Sequence, residues 1–300
     1  MSDSSFRHVR CLLFDLGDTL WALNMQVYEQ EGVARASRRA QALLRKHLTS
    51  QQVALLSEEE VLTHLHTRFH AHVRTLMQQD REHEPDLGQA VVLACADLGL
   101  PGLPPELGTE IAEALRIQIP GSRMLFEDAL STLETLQARG YTLGVVTNRI
   151  HGGPIFLDNL RELGLFTYFD PAHIAISADL GIRKPAEGIF RFALDGLGMT
   201  PEETAMIGDS LLADVRGAKR LGMHSVWMPT ARLRALARQE LSNSQEEPAT
   251  SLTNADLIAF AIEHYRKVKY LTEPDNTYLQ PDLVISSLSE LLDTFTGVTA

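Results

Sequence analysis

The chemistry this sequence can offer rests on a few widely separated residues: Asp15, Thr147, Asn148, Lys184, Asp209 and Asp214. Each lies at or shortly after the end of a short apolar run or in a turn. In a parallel sheet such positions gather at one edge, where ligands bind. That edge would hold carboxylates, a hydroxyl and an ammonium. Three carboxylates in one crevice repel unless a cation neutralises them, and donors that are all oxygen favour a hard ion such as Mg²⁺. A lysine and a threonine beside that ion complete a cradle for a tetrahedral dianion. The expected chemistry is metal-assisted phosphoryl transfer.

The elements that must position these residues follow from local pattern. Val9 to Phe14 is a brief apolar run that stops at Asp15, which reads as a buried parallel strand delivering a side chain at its C-terminal end. Tyr141 to Val146, His173 to Ile176, Thr204 to Ile207 and Met223 to Trp227 repeat the pattern, and Leu283 to Ile285 forms a sixth candidate strand. Helical patterns fill the gaps: Glu127 to Arg139, Ile155 to Leu163, Ala186 to Leu197 and Leu211 to Leu221. Glycines follow several of these, Gly140 among them as a C-cap. Strands alternating with helices predict an α/β fold, a Rossmann-like core with a mainly parallel sheet covered on both faces.

Two stretches break the alternation. Residues 23–120 read as about four helices without strands, one of them starting at Ser57 with a capping box to Glu60 and running to Gln79. Others span Asp86 to Gly99 and Glu106 to Ile117. A block this long exceeds a crossover connection and predicts an all-helical cap domain inserted into a core formed by residues 1–22 and 121–300. A second insertion, at about residues 231–280, combines a helix over Arg232 to Leu241, a polar, mobile connection over Ser242 to Ser251, and an amphipathic helix over Asp256 to Lys269. That last helix is expected at the cleft mouth or in self-association.

Composition narrows the class. The chain has 300 residues, 44% hydrophobic and 22% charged, as an ordinary globular protein does. Its formal net charge of −12 argues against a general nucleic-acid or anionic-membrane binder. The N-terminus lacks an apolar signal segment, and no uncharged apolar stretch reaches membrane-helix length. With only Cys11 and Cys95 there is no disulfide framework, so a cytoplasmic location is expected.

Four ordered motifs give the sequence a family resemblance. Phe14-Asp15-Leu16-Gly17-Asp18-Thr19-Leu20, Val146-Thr147-Asn148, Arg183-Lys184-Pro185, and Gly208-Asp209-Ser210 with Asp214 resemble those of the haloacid dehalogenase-like hydrolase superfamily. The resemblance implies that Asp15 is a nucleophile forming an aspartyl-phosphate. It implies that Thr147 holds a phosphate oxygen with the Asn148 backbone nearby, and that Lys184 neutralises nucleophile and phosphoryl group. It further implies that Asp15, the Gly17 carbonyl and Asp209 hold Mg²⁺, with Asp214 supporting the metal directly or through water. The substrate implied is a small phosphorylated metabolite, and cap closure would exclude water during transfer.

One departure bears on activity. Active phosphatases of this family commonly carry a second aspartate two residues after the nucleophile as general acid–base, and here that position is Gly17. Asp18 stands one residue later, where its direction does not match. Three readings stay open: a Mg²⁺-dependent phosphatase or phosphotransferase, a non-catalytic or weakly active phosphate-binding scaffold, and a metal-independent dehalogenase. The Asp209/Asp214 pair opposes the last, because uncompensated acids disfavour a carboxylate substrate.

Outside the motifs, His64, His66, His70 and His72 cluster on one helix, with His66 and His70 sharing a face; two histidines do not make a zinc site, so a solvated face is expected. Trp21 and Asn24 fall where the chain enters the cap, as core or as cleft lining. Gly152-Gly153 reads either as a flexible loop near phosphate or as a plain turn.

Overall fold

The computed structural model describes residues 4–48, 58–118, 121–244, 252–268 and 276–298. It divides into two compact units, one formed by Met1–Ala22, Leu125–Asn148 and Leu160–Ala300, the other by Leu23–Met124 and Arg149–Asn159.

The first unit is built on six parallel strands: β1 (Cys11–Phe14), β4 (Thr142–Thr147), β5 (Ala175–Ile176), β6 (Thr204–Gly208), β7 (His224–Trp227) and β8 (Leu283–Val284). Their order is β5-β4-β1-β6-β7-β8. All four residues of β1 and all five of β6 are buried, which is why both read as continuous apolar runs without alternation. The strand order reverses beside β1, between β4 on one side and β6 on the other. Phe14 is level with Val145 and with Ile207, so the three strands end within two residues of one another. The crevice beyond such a switch point is where ligands bind in open α/β sheets.

Helices cover the sheet through one-sided apolar faces. The helix Glu187–Leu197 buries Ile189, Phe190, Ala193 and Leu194 against Cys11, Leu13, Val146, Ala175 and Met206. Full burial of each large side chain in that set contributes about 1.5–3 kcal/mol. The helix Ala129–Ala138 is followed by Gly140 at φ 89°, a left-handed turn that lets the chain enter β4 directly. The stretch from Leu211 starts as a π-helical turn, Leu211–Val215, and becomes α-helical over Arg216–Arg220.

The late insertion packs inside this unit. Helices Ala231–Ser244 and Asn254–Lys267 share a buried cluster in which Leu257, Ile258, Ala261 and Ile262 meet Leu211, Val215 and Trp227. The second of these helices begins at a capping box in which Thr253 and Asp256 bond reciprocally. Its apolar face is thus buried within the chain. Of the polar connection between the two helices, residues 245–251 lie outside the described residues.

The second unit contains the helices Ala34–His47, Glu58–Gln79, Leu87–Asp97 and Pro105–Ala114. Leu44, Leu65, Phe69, Val73, Val91 and Ile111 form part of its core. Asp86 caps its helix by accepting from the Gln89 amide at 2.9 Å, and Pro105 occupies the first turn of the last helix. The expected cap Ser57 lies outside the described residues. Residues 149–159 group with this unit, whereas alternation alone assigned them to the core.

A two-stranded sheet formed by β2 (Trp21–Leu23) and β3 (Arg123–Leu125) flanks the block of residues 23–120, of which only Leu23 belongs to the sheet. Three-residue strands are too short to show a period of two. Trp21 is 1% exposed, a core residue, and Asn24 caps the following turn by accepting from the Val27 amide.

Candidate active site

Asp15 follows β1, and its amide continues the ladder by donating to the Ile207 carbonyl at 2.9 Å. Its carboxylate therefore emerges at the switch point. Thr147 ends β4 level with Ile176 and is buried. Gly208 ends β6 and hands the chain to Asp209, while Ser210 caps the turn that carries Asp214 by accepting from the Ala213 amide at 3.1 Å.

Lys184 joins these strand ends. Its ammonium lies 2.6 Å from Asp15 Oδ1 and 2.6 Å from Asp214 Oδ1, and it donates to the Val146 carbonyl at 2.7 Å. With its side chain 2% exposed, this is a buried cation between two buried acids, hydrogen-bonded to Asp15 and to the Val146 carbonyl and ion-paired with Asp214. Burial alone would lower the lysine pKa; attraction by Asp15 and Asp214 outweighs it and raises the value.

Asn148 fixes that lysine from the backbone side. Its Oδ1 accepts from the Lys184 amide at 2.8 Å and its Nδ2 donates to the Lys184 carbonyl at 3.0 Å. The side-chain amide therefore works as a clamp on the Lys184 backbone.

Asp214 is held among protein groups beside the other acids. Its Oδ1 faces Lys184, and its Oδ2 accepts from the Ser210 amide at 2.9 Å. One oxygen is thus ion-paired and the other hydrogen-bonded within the protein. Gly208 makes this packing possible, because a Cβ there would fall on the Asp214 carboxyl. Burial, the leading cause, pushes the Asp214 pKa up to about 6; Lys184 opposes the rise and Asp15 adds to it.

Asp209 is held from behind, its carbonyl accepting from the Trp227 indole at 2.7 Å. Its pKa is driven well above the ordinary range by burial and then by Asp214, Asp15 and Asp18, against which Lys184 is the opposing ammonium. Asp18 stands in the left-handed region at φ 56°, its amide donating to the Trp21 carbonyl at 2.7 Å; burial and then Asp15 raise its pKa. At Gly17 a Cβ would meet nothing within 4 Å.

These groups fit a hard divalent cation. The carboxylates of Asp15 and Asp209 and the carbonyl of Gly17 are all oxygen donors, in a region where four acids act on one another against one ammonium. Among the described residues, no set of three or more His, Cys, Asp or Glu forms a ready metal cage. Backbone, water and substrate oxygens would have to complete the shell, as is usual for Mg²⁺.

Sequence reasoning missed Tyr265. It lies on the late insertion's second helix, and its phenol is pushed upward by burial and then by Asp209 and Asp214. That helix therefore does reach the field of the acids. The signal in the sequence was only an amphipathic pattern, which places a face but not its neighbour. Elsewhere, His66 and His70 meet edge to face with their Nε2 atoms 3.1 Å apart, and burial leads both to lowered pKa values, so the solvated face expected for them is partly buried instead. Gly153 opens the next helix at φ 70°, making Gly152-Gly153 the turn before it.

The strand order and the acids at its reversal define the class: a doubly wound α/β protein with a buried aspartate–lysine centre at its switch point. The chain belongs to the haloacid dehalogenase-like hydrolase family, whose model matches residues 9–222. It is 37% identical over 111 residues to the glyceraldehyde 3-phosphate phosphatase of Pyrococcus furiosus, a match covering 37% of this chain and 41% of that protein. To the glyceraldehyde 3-phosphate phosphatase of Methanopyrus kandleri it is 29% identical over 228 residues, 73% of this chain and 83% of that one. The chain thus spans less than half of the first relative and most of the second. Among solved structures, a haloacid dehalogenase-family phosphatase from Thermococcus onnurineus aligns with a TM-score of 0.53 at 23% identity, covering 97% of this chain and all of that one, a likeness of fold.

Proposed function

We propose that the protein is a Mg²⁺-dependent phosphatase acting on a small phosphorylated metabolite through an aspartyl-phosphate on Asp15. The observation that carries this reading is the Lys184 ammonium held 2.6 Å from both Asp15 and Asp214 at the strand ends. The names of the relatives, phosphatases of glyceraldehyde 3-phosphate, point the same way.

A carboxylate oxygen of Asp15 attacks phosphorus as the ester P–O bond breaks, and the leaving alkoxide takes a proton from water because Gly17 offers none. Water then attacks phosphorus, the P–O bond to Asp15 breaks, and inorganic phosphate departs. Lys184 holds the nucleophilic oxygen and balances charge on the transferring group, the Thr147 hydroxyl binds a phosphate oxygen, and the Asn148 clamp keeps Lys184 in place. When bound by Asp15, Asp209 and the Gly17 carbonyl, Mg²⁺ supplies positive charge to the phosphoryl oxygens.

No described helix is long and apolar enough to cross a membrane. Both cysteines are buried and free, and we place the protein in the cytoplasm on that chemistry. The deciding experiment is hydrolysis of 4-nitrophenyl phosphate, with and without Mg²⁺, by wild type and Asp15→Asn. Turnover that needs the metal and falls by about 10³-fold or more in the variant supports the reading. Phosphate-analogue binding without turnover would assign the scaffold reading that Gly17 motivates, and halide release in the presence of a chelator would assign the dehalogenase.

A further inference from the structure

Of the acids Asp15, Asp209 and Asp214, two are held through their carboxylates: Asp15 by Lys184, and Asp214 by Lys184 and the Ser210 amide. Asp209 differs. Among the described residues its carboxylate accepts no hydrogen bond and forms no ion pair. What directs it is its own backbone. The peptide unit joining Asp209 to Ser210 is tied at both ends, its carbonyl accepting from the Trp227 indole at 2.7 Å and its N–H donating to Asp214 Oδ2 at 2.9 Å. A planar peptide held at carbonyl and amide is no longer free to turn about the Asp209 Cα–C bond. The Gly208 carbonyl, one unit earlier, accepts from the Met228 amide at 2.9 Å. Successive carbonyls are thus fixed by successive residues at the end of β7.

The indole is placed as firmly as the peptide. Trp227 ends β7 level with Gly208 and is 0% exposed. Its ring lies in one buried cluster with Leu211, Val215, Leu257, Ala261 and Leu279. Tyr265 packs on the same cluster, and after burial it is Asp209 and Asp214 that act on its phenol. An indole offers a single N–H, and a buried one needs an acceptor. The Asp209 carbonyl is that acceptor, so the packing of the ring and the direction of the bond are decided together. A phenylalanine would fill part of the same space and leave the carbonyl without its donor.

We propose that Trp227 is a positioning residue for the divalent cation: through the Asp209–Ser210 peptide it aims the Asp209 carboxylate and so sets how tightly the ion binds. Groups that hold a metal ligand from behind typically change metal affinity by about 10- to 100-fold when removed. Core packing by itself acts otherwise. It changes the stability of the fold and leaves the affinity of folded molecules alone. The role rests on the Mg²⁺ reading of the site and does not require turnover.

The test uses Mn²⁺, which shares the preference for hard oxygen donors and whose free concentration is read by electron paramagnetic resonance. The full chain is titrated without substrate as wild type, Trp227→Phe and Leu279→Ala, each at a temperature where circular dichroism shows it folded. Trp227→Phe should bind Mn²⁺ about 10- to 100-fold more weakly than wild type. Leu279→Ala thins the same cluster and removes no bond to Asp209, so its affinity should stay near that of wild type. Should Trp227→Phe not fold, the indole itself reports. The chain has two tryptophans, so Trp21→Phe leaves Trp227 as the sole indole emitter. Mg²⁺ should shift that emission, and Asp209→Asn in the same background should abolish the shift. Unchanged affinity in Trp227→Phe, an equal loss in Leu279→Ala, or Trp227 emission that Mg²⁺ leaves unaltered overturns the positioning role while the ion stays. Wild type that takes up no Mn²⁺ overturns the metal reading and the role with it. A shifted affinity in a chain that hydrolyses no ester would overturn the phosphatase reading alone.

Discussion

The Lys184 ammonium and the Asp214 carboxylate meet at 2.6 Å with both side chains almost wholly buried, and the same ammonium is 2.6 Å from Asp15. Two acids from different strand ends share one cation. Lys184→Met would leave both carboxylates buried without it. Breaking a buried ion pair from one side costs about 3–5 kcal/mol, so urea denaturation should show a loss of that order beside a loss of turnover. Stability within about 1 kcal/mol of wild type would contradict this account of the centre.

Gly208→Ala places a methyl group where the Asp214 carboxyl now packs. The carboxylate must swing away from Lys184 and from the Ser210 amide. Stability should fall by about 1–3 kcal/mol, with activity falling further than stability explains. Assays at a temperature where the variant is fully folded separate the two effects.

Gly17→Asp tests the missing acid–base. A Cβ at this position meets nothing within 4 Å, so the first carbon of the side chain enters without a clash. For esters with poor leaving groups the rate should rise, by at most about 10²- to 10⁴-fold. For 4-nitrophenyl phosphate, which needs little protonation, the gain should be small. An equal gain for both esters would show that the new carboxylate does something other than protonate the leaving oxygen.

Acid should destabilise the helical unit through its buried histidines. Burial, then Arg116 and Arg149, hold His151 at about 3, and burial, then His66, hold His70 at about 4, against 6.5 when unfolded. As pH falls below 6.5 the unfolded chain binds these protons first. The stability the two groups contribute is therefore present above pH 6.5 and lost on the way to 4 and 3. Each titrating group adds a slope of up to about 1.4 kcal/mol per pH unit. Asp214, raised to about 6, acts with the opposite sign over part of that range, so the comparison is between wild type and His151→Gln. The variant should show the shallower pH dependence of urea denaturation between pH 6.5 and 4.

Both cysteines should resist thiol reagents in the folded protein. Burial pushes Cys11 up to about 12 and Cys95 up to about 11, leaving little thiolate at neutral pH. Ellman titration should find neither until denaturant is added. One thiol that reacts early would mark the unit that opens first, since the two lie in different units.

The parallel sheet was legible in the sequence because its strands are buried on both faces, and runs such as Cys11–Phe14 then stand out without alternation. The acids were legible for a related reason: a carboxyl that ends an apolar run must emerge at a strand's end. Contacts between segments far apart in the chain were not. Nothing local marks Asn148 as the clamp of Lys184, since the bonds join backbone and side chain 36 residues apart. Nor does anything local show that Asp214, read as supporting a metal directly or through water, pairs with Lys184 and accepts from the Ser210 amide. Arg116, Arg123 and Arg149, which line one pocket of the helical unit, went unread together because they follow no period in the sequence.

The indole of Trp227 donates to the Asp209 carbonyl, and the helix Asn254–Lys267 leans on that same tryptophan. Both supports come after residue 222, where the family match stops. The alignment of a motif acid thus depends on residues beyond the matched segment, and a chain shortened at that boundary would keep every motif residue while Asp209 lost its anchor.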